Sequence, residues 1–216
     1  MAVERKTLTQ LSVPICLETL FYMLSGMVDT LMLSSVGDQA VGAVGTANTY
    51  IGVFIIMFGV ISSGMVAVMS QNIGAGRPGI AYQARQLGLL FNASTGILMS
   101  VILAFCSGRI LKVVSIAPAL LEPAETYLKI VGGACFLNAL IPIFSSYLRV
   151  FGYTKHSLIG TIVGNAVNII FNSVFLFVFK WGVMGVAVAT VISKVVNLII
   201  VAAMGAVLIK AKQSPE

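Results

Sequence analysis

The sequence predicts an all-α, polytopic membrane protein: a bundle of six transmembrane helices with both termini in the cytoplasm. Of its 216 residues, 58% are hydrophobic and only 9% are charged, and the mean hydropathy is +1.02. A soluble domain carries about 25% charged residues. The apolar residues form long runs separated by short polar links, and crossing a bilayer takes about 20 such residues. This pattern indicates a multi-pass protein of the cell membrane, surrounded by lipid.

The first three spans are separated by clear turn signals. The second span is interpreted as one helix, because no proline or polar turn cluster interrupts residues 41–69. After the third span, we expect the first half of residues 107–125 to form an amphipathic helix at the membrane interface. The full set of predicted spans is 11–36, 41–69, 86–106, 127–148, 158–179 and 183–209, between an N-terminal segment at 1–10 and a linker or tail at 210–216.

The last three spans contain features that membrane helices tolerate or use. Span four includes Pro142, which is tolerated because neighbouring helices can satisfy the freed backbone groups. Span five ends at Lys180 and Trp181, as expected of an interfacial anchor. Gly160 and Gly164 form a GxxxG pattern in span five, which predicts close packing against another helix.

The arginines and lysines of the loops give the orientation. With six spans, both termini lie on one side of the membrane, and that side carries eight of these residues whereas the other carries four. Cytoplasmic loops are enriched in Arg and Lys, which places the termini in the cytoplasm. The basic residues stand singly between apolar spans, so no nucleic-acid partner is expected. No catalytic or nucleotide-binding motif occurs in the sequence, and we expect neither an enzyme nor a resident cofactor.

The first span carries two carboxylates, Glu18 and Asp29, although a charge at membrane depth costs roughly 3 kcal/mol on insertion scales. These residues are 11 positions apart, which at about 100° per residue returns to within roughly 20° of one helix face. Tyr22 lies between them on that face. Charged residues at this depth usually face a cavity or a partner. One side of this span is therefore predicted to line a polar cavity.

The last two spans carry polar stripes of their own. Span five has Thr161, Asn165, Asn168 and Asn172 at helical spacing, and span six has Thr190, Ser193, Lys194 and Asn197. The rise of a helix is about 1.5 Å per residue. By this measure four groups can share a level in the outer half of the membrane, namely Asp29, Asn168, Asn172 and Thr190. Glu18 lies deeper.

A carboxylate among amide and hydroxyl oxygens suits Na⁺ or a proton, because hard cations prefer oxygen ligands. We therefore predict a cation site at Asp29, with Asn165 and Tyr22 as further candidates for the cavity wall. The alternative is that the amides and hydroxyls only join helices, at about 0.6 kcal/mol each. Lys194 leaves another choice open, because it could pair with Asp29 or with Glu18, which is the closer in depth.

Four motifs occur in an order and spacing that resemble a known family. They are Pro14 followed by Val28-Asp29-Thr30, QNIGAG at 71–76, LRVFGYTK at 148–155 and GVAVAT at 185–190. In this order they resemble the N-terminal half of the multidrug and toxic compound extrusion (MATE) transporters, within the multidrug/oligosaccharide-lipid/polysaccharide flippase superfamily. The resemblance covers nearly the whole chain.

The resemblance implies a mechanism and roles for specific residues. It implies that Asp29 couples cation entry to drug release, with Asn168, Asn172 and Thr190 as its partners. The sequence departs from one subfamily at Asn172, where that subfamily has a second acidic residue. The resemblance further implies that Pro14 is a hinge in the first helix. The expected activity is antiport of organic compounds, often cationic and amphipathic, against Na⁺ or H⁺ by alternating access.

The family pattern also implies a second six-helix lobe, because the substrate path runs between two lobes. The sequence ends after one lobe. It therefore fits a fragment of a longer transporter, a half-transporter that forms a homodimer, or a non-functional remnant. Two other functions stay open. A flippase for lipid-linked precursors would need more cationic groups in the cavity than Lys194, and a structural membrane subunit would need none of the transport chemistry.

Overall fold

The computed structural model describes residues 8–213, which form seven α-helices and no strand. The helices are α1 (Leu8–Ser34), α2 (Asp38–Gly74), α3 (Pro78–Val113), α4 (Pro118–Tyr127), α5 (Cys135–Val150), α6 (Thr154–Ser173) and α7 (Gly182–Gln213). Two π-helical segments extend them, Leu128–Gly132 after α4 and Val174–Val178 after α6. Residues 1–7 and 214–216, parts of the predicted terminal segments, lie outside the described residues.

Six membrane-crossing units follow from these helices, as predicted. Within the described residues, α1, α2, α3, α6 and α7 are each long and apolar enough to cross a bilayer. The sixth unit is broken: α4 with its π-helical extension meets α5 at 43°. Sharp bends in helices commonly occur at π-helical turns, and this bend lies directly after Leu128–Gly132. The prediction of an all-α bundle of six spans is confirmed.

Most helices extend beyond the predicted spans. The first half of 107–125 was expected to form an interfacial helix, but its residues continue α3 to Val113. The second half forms α4 instead. A drop in hydropathy does not by itself end a helix, and α3 stops only where Ser115 adopts a φ of 57°. For the same reason α7 runs on to Gln213 through part of the predicted linker.

The first helix lies at one side of the bundle and packs mainly against α6. Glu18 contacts Ser157 near the start of both helices, and Asp29 contacts Asn172 near their ends. The two helices therefore run in the same direction. The centre of the bundle is made by α2, α3, α5 and α7, with close contacts between α3 and α5 and between α6 and α7.

Two apolar clusters fill the bundle. The larger one joins α2, α3, α4 and α7 around Phe58, Leu103 and Leu128, which are all buried. The smaller one joins α2, α3 and α5 around Met69 and Ile143. The polar residues of α1, α6 and α7 lie outside these two clusters.

A seam of small residues brings α6 against α7. A Cβ atom at Gly160 would lie 2.7 Å from Cγ1 of Val201 and 2.8 Å from Oδ1 of Asn197. One at Gly164 would lie 3.2 Å from Cβ of Asn197. Only glycine permits so close an approach, which confirms the packing predicted from the GxxxG pattern. The seam fixes how the polar faces of α6 and α7 are turned.

Candidate functional site

A cavity of about 600 Å³ lies between α1, α2, α5, α6 and α7. Pockets for drug-sized molecules measure about 300–1,000 Å³, so the cavity has the size to hold an organic compound. Its wall includes residues from every polar stripe that the sequence analysis identified. The predicted site residues on the wall are Glu18, Tyr22, Asp29, Asn165, Asn168, Thr190 and Lys194.

The carboxylate of Asp29 is held by an amide network from α6. Asn172 donates from Nδ2 to Oδ1 of Asp29 at 2.6 Å and to Oδ1 of Asn168 at 3.2 Å. Asn172 and Asn168 are buried, whereas Asp29 is half-buried on the cavity wall. The predicted common level of these three groups is therefore realised as direct contact. Oδ1 of Asn172 is buried and has no hydrogen-bond partner within the described residues.

Thr190 completes this end of the cavity from α7. Its hydroxyl donates to the carbonyl of Val186 at 2.8 Å, so it makes no direct bond to Asp29. The hydroxyl of Tyr127 lies within reach of Thr190 and of Asn48. Tyr127 and Asn48 both line the cavity, and the sequence analysis did not select them. A polar residue in the long apolar run of α2 was the available signal for Asn48.

Glu18 lies at the other end of the cavity and forms an ion pair. Nη2 of Arg149 is 2.8 Å from Oε2 of Glu18. The hydroxyl of Ser157 donates to the same carboxylate, 2.9 Å from Oε1 and 3.1 Å from Oε2. Pairing of Glu18 with Lys194, which the depth estimate favoured, is therefore wrong. The cluster joins α1, α5 and α6 through one carboxylate.

The turn between α5 and α6 places Arg149 at this carboxylate. Arg149 lies in the last turn of α5, whereas the sequence analysis placed it in a loop. After it, Gly152 has a φ of 82°, and its N–H bonds to the carbonyl of Arg149 at 2.9 Å. The next N–H, of Tyr153, bonds to the carbonyl of Leu148 at 2.9 Å. This pair of bonds is the common glycine-dependent ending of a helix, and it holds Arg149 in helical geometry.

Lys194 lines the cavity one turn beyond Thr190 on α7. Its side chain is half-exposed, and within residues 9–208 it forms neither an ion pair nor a hydrogen bond. Asp29 interacts with it only at longer range. Neither of the two predicted carboxylate partners, Glu18 and Asp29, is therefore in direct contact with Lys194. Lys194 is a free cationic group on the cavity wall of the described chain.

The remaining predicted residues differ in their roles. Asn165 donates from Nδ2 to the carbonyl of Phe21 at 2.7 Å and so fastens α6 to α1. Tyr22 is 56% exposed and lines the cavity between the two carboxylates. Pro14 is buried inside α1, outside the cavity wall. Its predicted role as a hinge stays a prediction.

The two ends of the cavity offer different chemistry. The group that contacts Asp29 directly is the amide N–H of Asn172, and the amide oxygens of Asn168 and Asn172 belong to the same network, the second of them unpartnered among the described residues. Such oxygens are the ligands that small hard cations prefer. Among the described residues, no group of three or more His, Cys, Asp or Glu side chains could hold a metal ion. Asp29 therefore presents one carboxylate whose close partner is a neutral amide.

Comparison with known proteins gives a consistent family. The profile of the MatE family matches residues 14–174. The chain is 36% identical over 197 residues to the "Uncharacterized transporter YisQ" of Bacillus subtilis, a match that covers 89% of the chain and 43% of the relative. It is 26% identical to the "Probable multidrug resistance protein NorM" of Thermotoga maritima, again over 89% of the chain and 42% of the relative.

The fold is that of half a solved transporter. An outward-facing multidrug resistance MATE transporter superposes with a TM-score of 0.85 at 20% identity, over 96% of this chain and 48% of that one. The chain therefore spans less than half the length of the curated relatives and of the structure that it matches.

Proposed function

The chain belongs to the MatE family, whose members are transporters and not enzymes, and we propose that it is one lobe of a secondary active antiporter. In this proposal it exports amphipathic organic compounds, including the cationic ones that the family resemblance implies, in exchange for Na⁺ or H⁺. It spans the cell membrane several times, with both termini in the cytoplasm. The observation that carries the proposal is the contact of Asp29 with Asn172 inside a cavity of about 600 Å³.

The proposed mechanism is competition within one cavity. A cation that enters from outside binds at Asp29 and displaces the N–H of Asn172 from its carboxylate, with the oxygens of Asn168, Asn172 and Thr190 as the proposed further ligands. Because Asn172 bonds to Asp29 across the α1–α6 interface, cation binding changes a contact between two helices. A shift of α1 would change the shape of the cavity and release the organic compound. Pro14 is the proposed point of flexure, because proline weakens the helix at this position.

A second lobe is the proposed partner. The relatives are more than twice as long as this chain, and α1 carries exposed apolar side chains on the side away from α6, including Met23, Met27 and Leu31. We propose that another six-helix lobe, either covalently attached or supplied by a second copy, closes the other half of the path. The proposal leaves the coupling ion as either Na⁺ or H⁺.

The test is cation-driven efflux from proteoliposomes that contain the chain. A fluorescent organic compound is loaded inside, and a Na⁺ or H⁺ gradient is imposed from outside. Asp29→Asn is expected to abolish the part of efflux that depends on the gradient. Asp38→Asn is the matched control, because Asp38 is exposed in the first turn of α2 and lies off the cavity wall. Gradient-driven efflux that persists unchanged in Asp29→Asn would contradict the proposal.

A further inference from the structure

We infer that Lys194 and Asn197 on α7 form the binding site for an acidic group, a carboxylate or a phosphate, on the transported compound. The inference rests on the proposed transport function and names a substrate class for the same cavity. It starts from the cavity's four charged side chains: Glu18, Asp29, Arg149 and Lys194. Each could in principle attract a charged substrate, and their contacts decide which of them is available.

Two of the four charges neutralise each other, and a third is held by a neutral amide. Glu18 and Arg149 neutralise each other at 2.8 Å, and Ser157 occupies the same carboxylate. Asp29 accepts a hydrogen bond of 2.6 Å from Asn172. Lys194 differs, since it is a half-buried residue of the cavity wall whose ammonium makes no ion pair or hydrogen bond within residues 9–208. A charge at membrane depth is expensive unless a partner or a wet cavity compensates for it. An acidic group in the cavity would supply that partner.

The second donor is the amide of Asn197. Its side chain lies three residues after Lys194 on the same helix face, and it also lines the cavity. Its oxygen points to α6, where a Cβ at Gly160 would lie 2.8 Å from it. That oxygen is buried and has no hydrogen-bond partner among the described residues. The amide nitrogen is not among the buried unpartnered atoms of the described residues, and it is the donor that Asn197 can offer to the cavity. Lys194 and Asn197 therefore present two donors side by side.

The donor set fits one small anionic group and not a pyrophosphate. An ammonium and one amide can satisfy a single carboxylate or phosphate, and Arg149 is unavailable because Glu18 holds it. The cavity wall also includes apolar side chains of α2, among them Ile51 and Ile55. An apolar or aromatic body can pack there while its acidic group reaches α7. The class of compound is therefore an organic acid or zwitterion with an apolar body.

The experiment measures equilibrium binding of matched probes to the full 216-residue chain in detergent, without a cation gradient. The probes share one naphthalene body and carry a carboxylate, a phosphate, a neutral carboxamide or an ammonium group. We expect both anionic probes to bind at least tenfold more tightly than the carboxamide, and more tightly than the ammonium probe. Equal binding of the carboxylate and carboxamide probes, or tighter binding of the ammonium probe, would overturn the inference even if no variant folds.

Variants then assign the preference to this site. In Lys194→Gln, the ratio of the affinity for the anionic probes to that for the carboxamide probe should fall at least tenfold. In Lys194→Arg, most of this ratio should be retained. Lys112→Gln is the matched control, because Lys112 is exposed near the end of α3 and away from the cavity. An unchanged preference in Lys194→Gln overturns the assignment. Loss of efflux in Asp29→Asn without loss of anion binding leaves this inference standing, because the binding assay uses no coupling ion.

Discussion

The two carboxylates of α1 are of the same kind and share one helix face, yet they occupy opposite chemical environments. Glu18 meets the permanently charged guanidinium of Arg149 and the hydroxyl of Ser157. Asp29 meets only neutral groups at close range, above all the amide of Asn172. A charge that is already neutralised has little to gain from an incoming cation. A charge held by amides can exchange its partner.

This difference assigns separate tasks to the two ends of the cavity. The Glu18 end fastens α1 to α5 and α6 and is mainly structural. The Asp29 end joins α1 to α6 through one neutral amide and is the proposed place of cation exchange. Substitutions should therefore affect stability at the first end and cation coupling at the second.

The largest expected effect on stability comes from Arg149→Gln. This change leaves Glu18, which is 9% exposed, without its counter-charge, and loss of one partner of a buried pair costs about 3 kcal/mol in unfolding free energy. Unfolding by titration with denaturing detergent, followed by circular dichroism, measures the loss. The double variant Glu18→Gln, Arg149→Gln is the control and should recover most of it, because no isolated charge remains. Equal stability of Arg149→Gln and the unsubstituted chain would contradict the structural role of this end.

The next largest effect is expected from Gly160→Ala in the seam between α6 and α7. The added methyl group would lie 2.7 Å from Val201, and such overpacking costs about 2 kcal/mol. Both ends of the cavity depend on this seam, so we expect weaker probe binding as well as lower stability. Gly45→Ala is the matched control, because a Cβ there meets nothing within 4 Å. If both variants unfold at the same detergent concentration, the close packing of α6 on α7 is not important for stability.

A smaller effect is expected from Asn172→Asp, which gives the Asp29 end a second carboxylate. Cation affinity rises with the number of charged ligands, so we expect the half-maximal concentration of the coupling cation, Na⁺ or H⁺, for efflux to fall by roughly tenfold. Glu18→Asp provides a comparison at the other end, since it keeps the number of carboxylates constant. A half-maximal concentration that is unchanged in Asn172→Asp would mean that this residue lies outside the cation site.

The smallest effect is expected from Lys129→Gln. Lys129 pairs with Glu125 at 2.7 Å, but its side chain is 51% exposed, and exposed pairs of this kind contribute less than about 0.5 kcal/mol. Comparison of this variant with Arg149→Gln shows whether the stabilisation depends on the burial of an ion pair or only on its presence. A loss of stability as large as that of Arg149→Gln would contradict the expectation that the half-buried Glu18–Arg149 pair contributes more to stability than the exposed Lys129–Glu125 pair.

The sequence was sufficient to predict the fold class and the sides of the cavity wall that α1, α6 and α7 form, but not the sides formed by α2 and α5. Apolar runs of membrane length predicted the six spans, and helical spacing predicted that Glu18, Tyr22 and Asp29 face one space. Because the angle and rise between residues of one helix are fixed, the face and depth of these residues could be calculated from the sequence. The depth estimate predicted that Asp29 and Asn172 share a level, and the structure adds that they are in direct contact.

Contacts that depend on where a helix ends could not be predicted in this way. Arg149 was placed in a loop, and only the ending of α5 at Gly152 keeps it in the helix beside Glu18. Likewise, nothing in the apolar pattern shows that α4 and α5 meet at 43°, which sets the position of Tyr127 near Thr190. Helix ends and bends result from local backbone geometry and tertiary packing, which hydropathy does not record.

The most direct test of the account measures cation flux coupled to substrate in the two carboxylate variants side by side. Proteoliposomes that contain the chain are given substrate, and cation entry is followed with radioactive Na⁺ and with a pH-sensitive dye. We expect Glu18→Gln to retain substrate-dependent cation flux, at reduced protein stability, and Asp29→Asn to lose it. Retained flux in Asp29→Asn together with lost flux in Glu18→Gln would contradict the account.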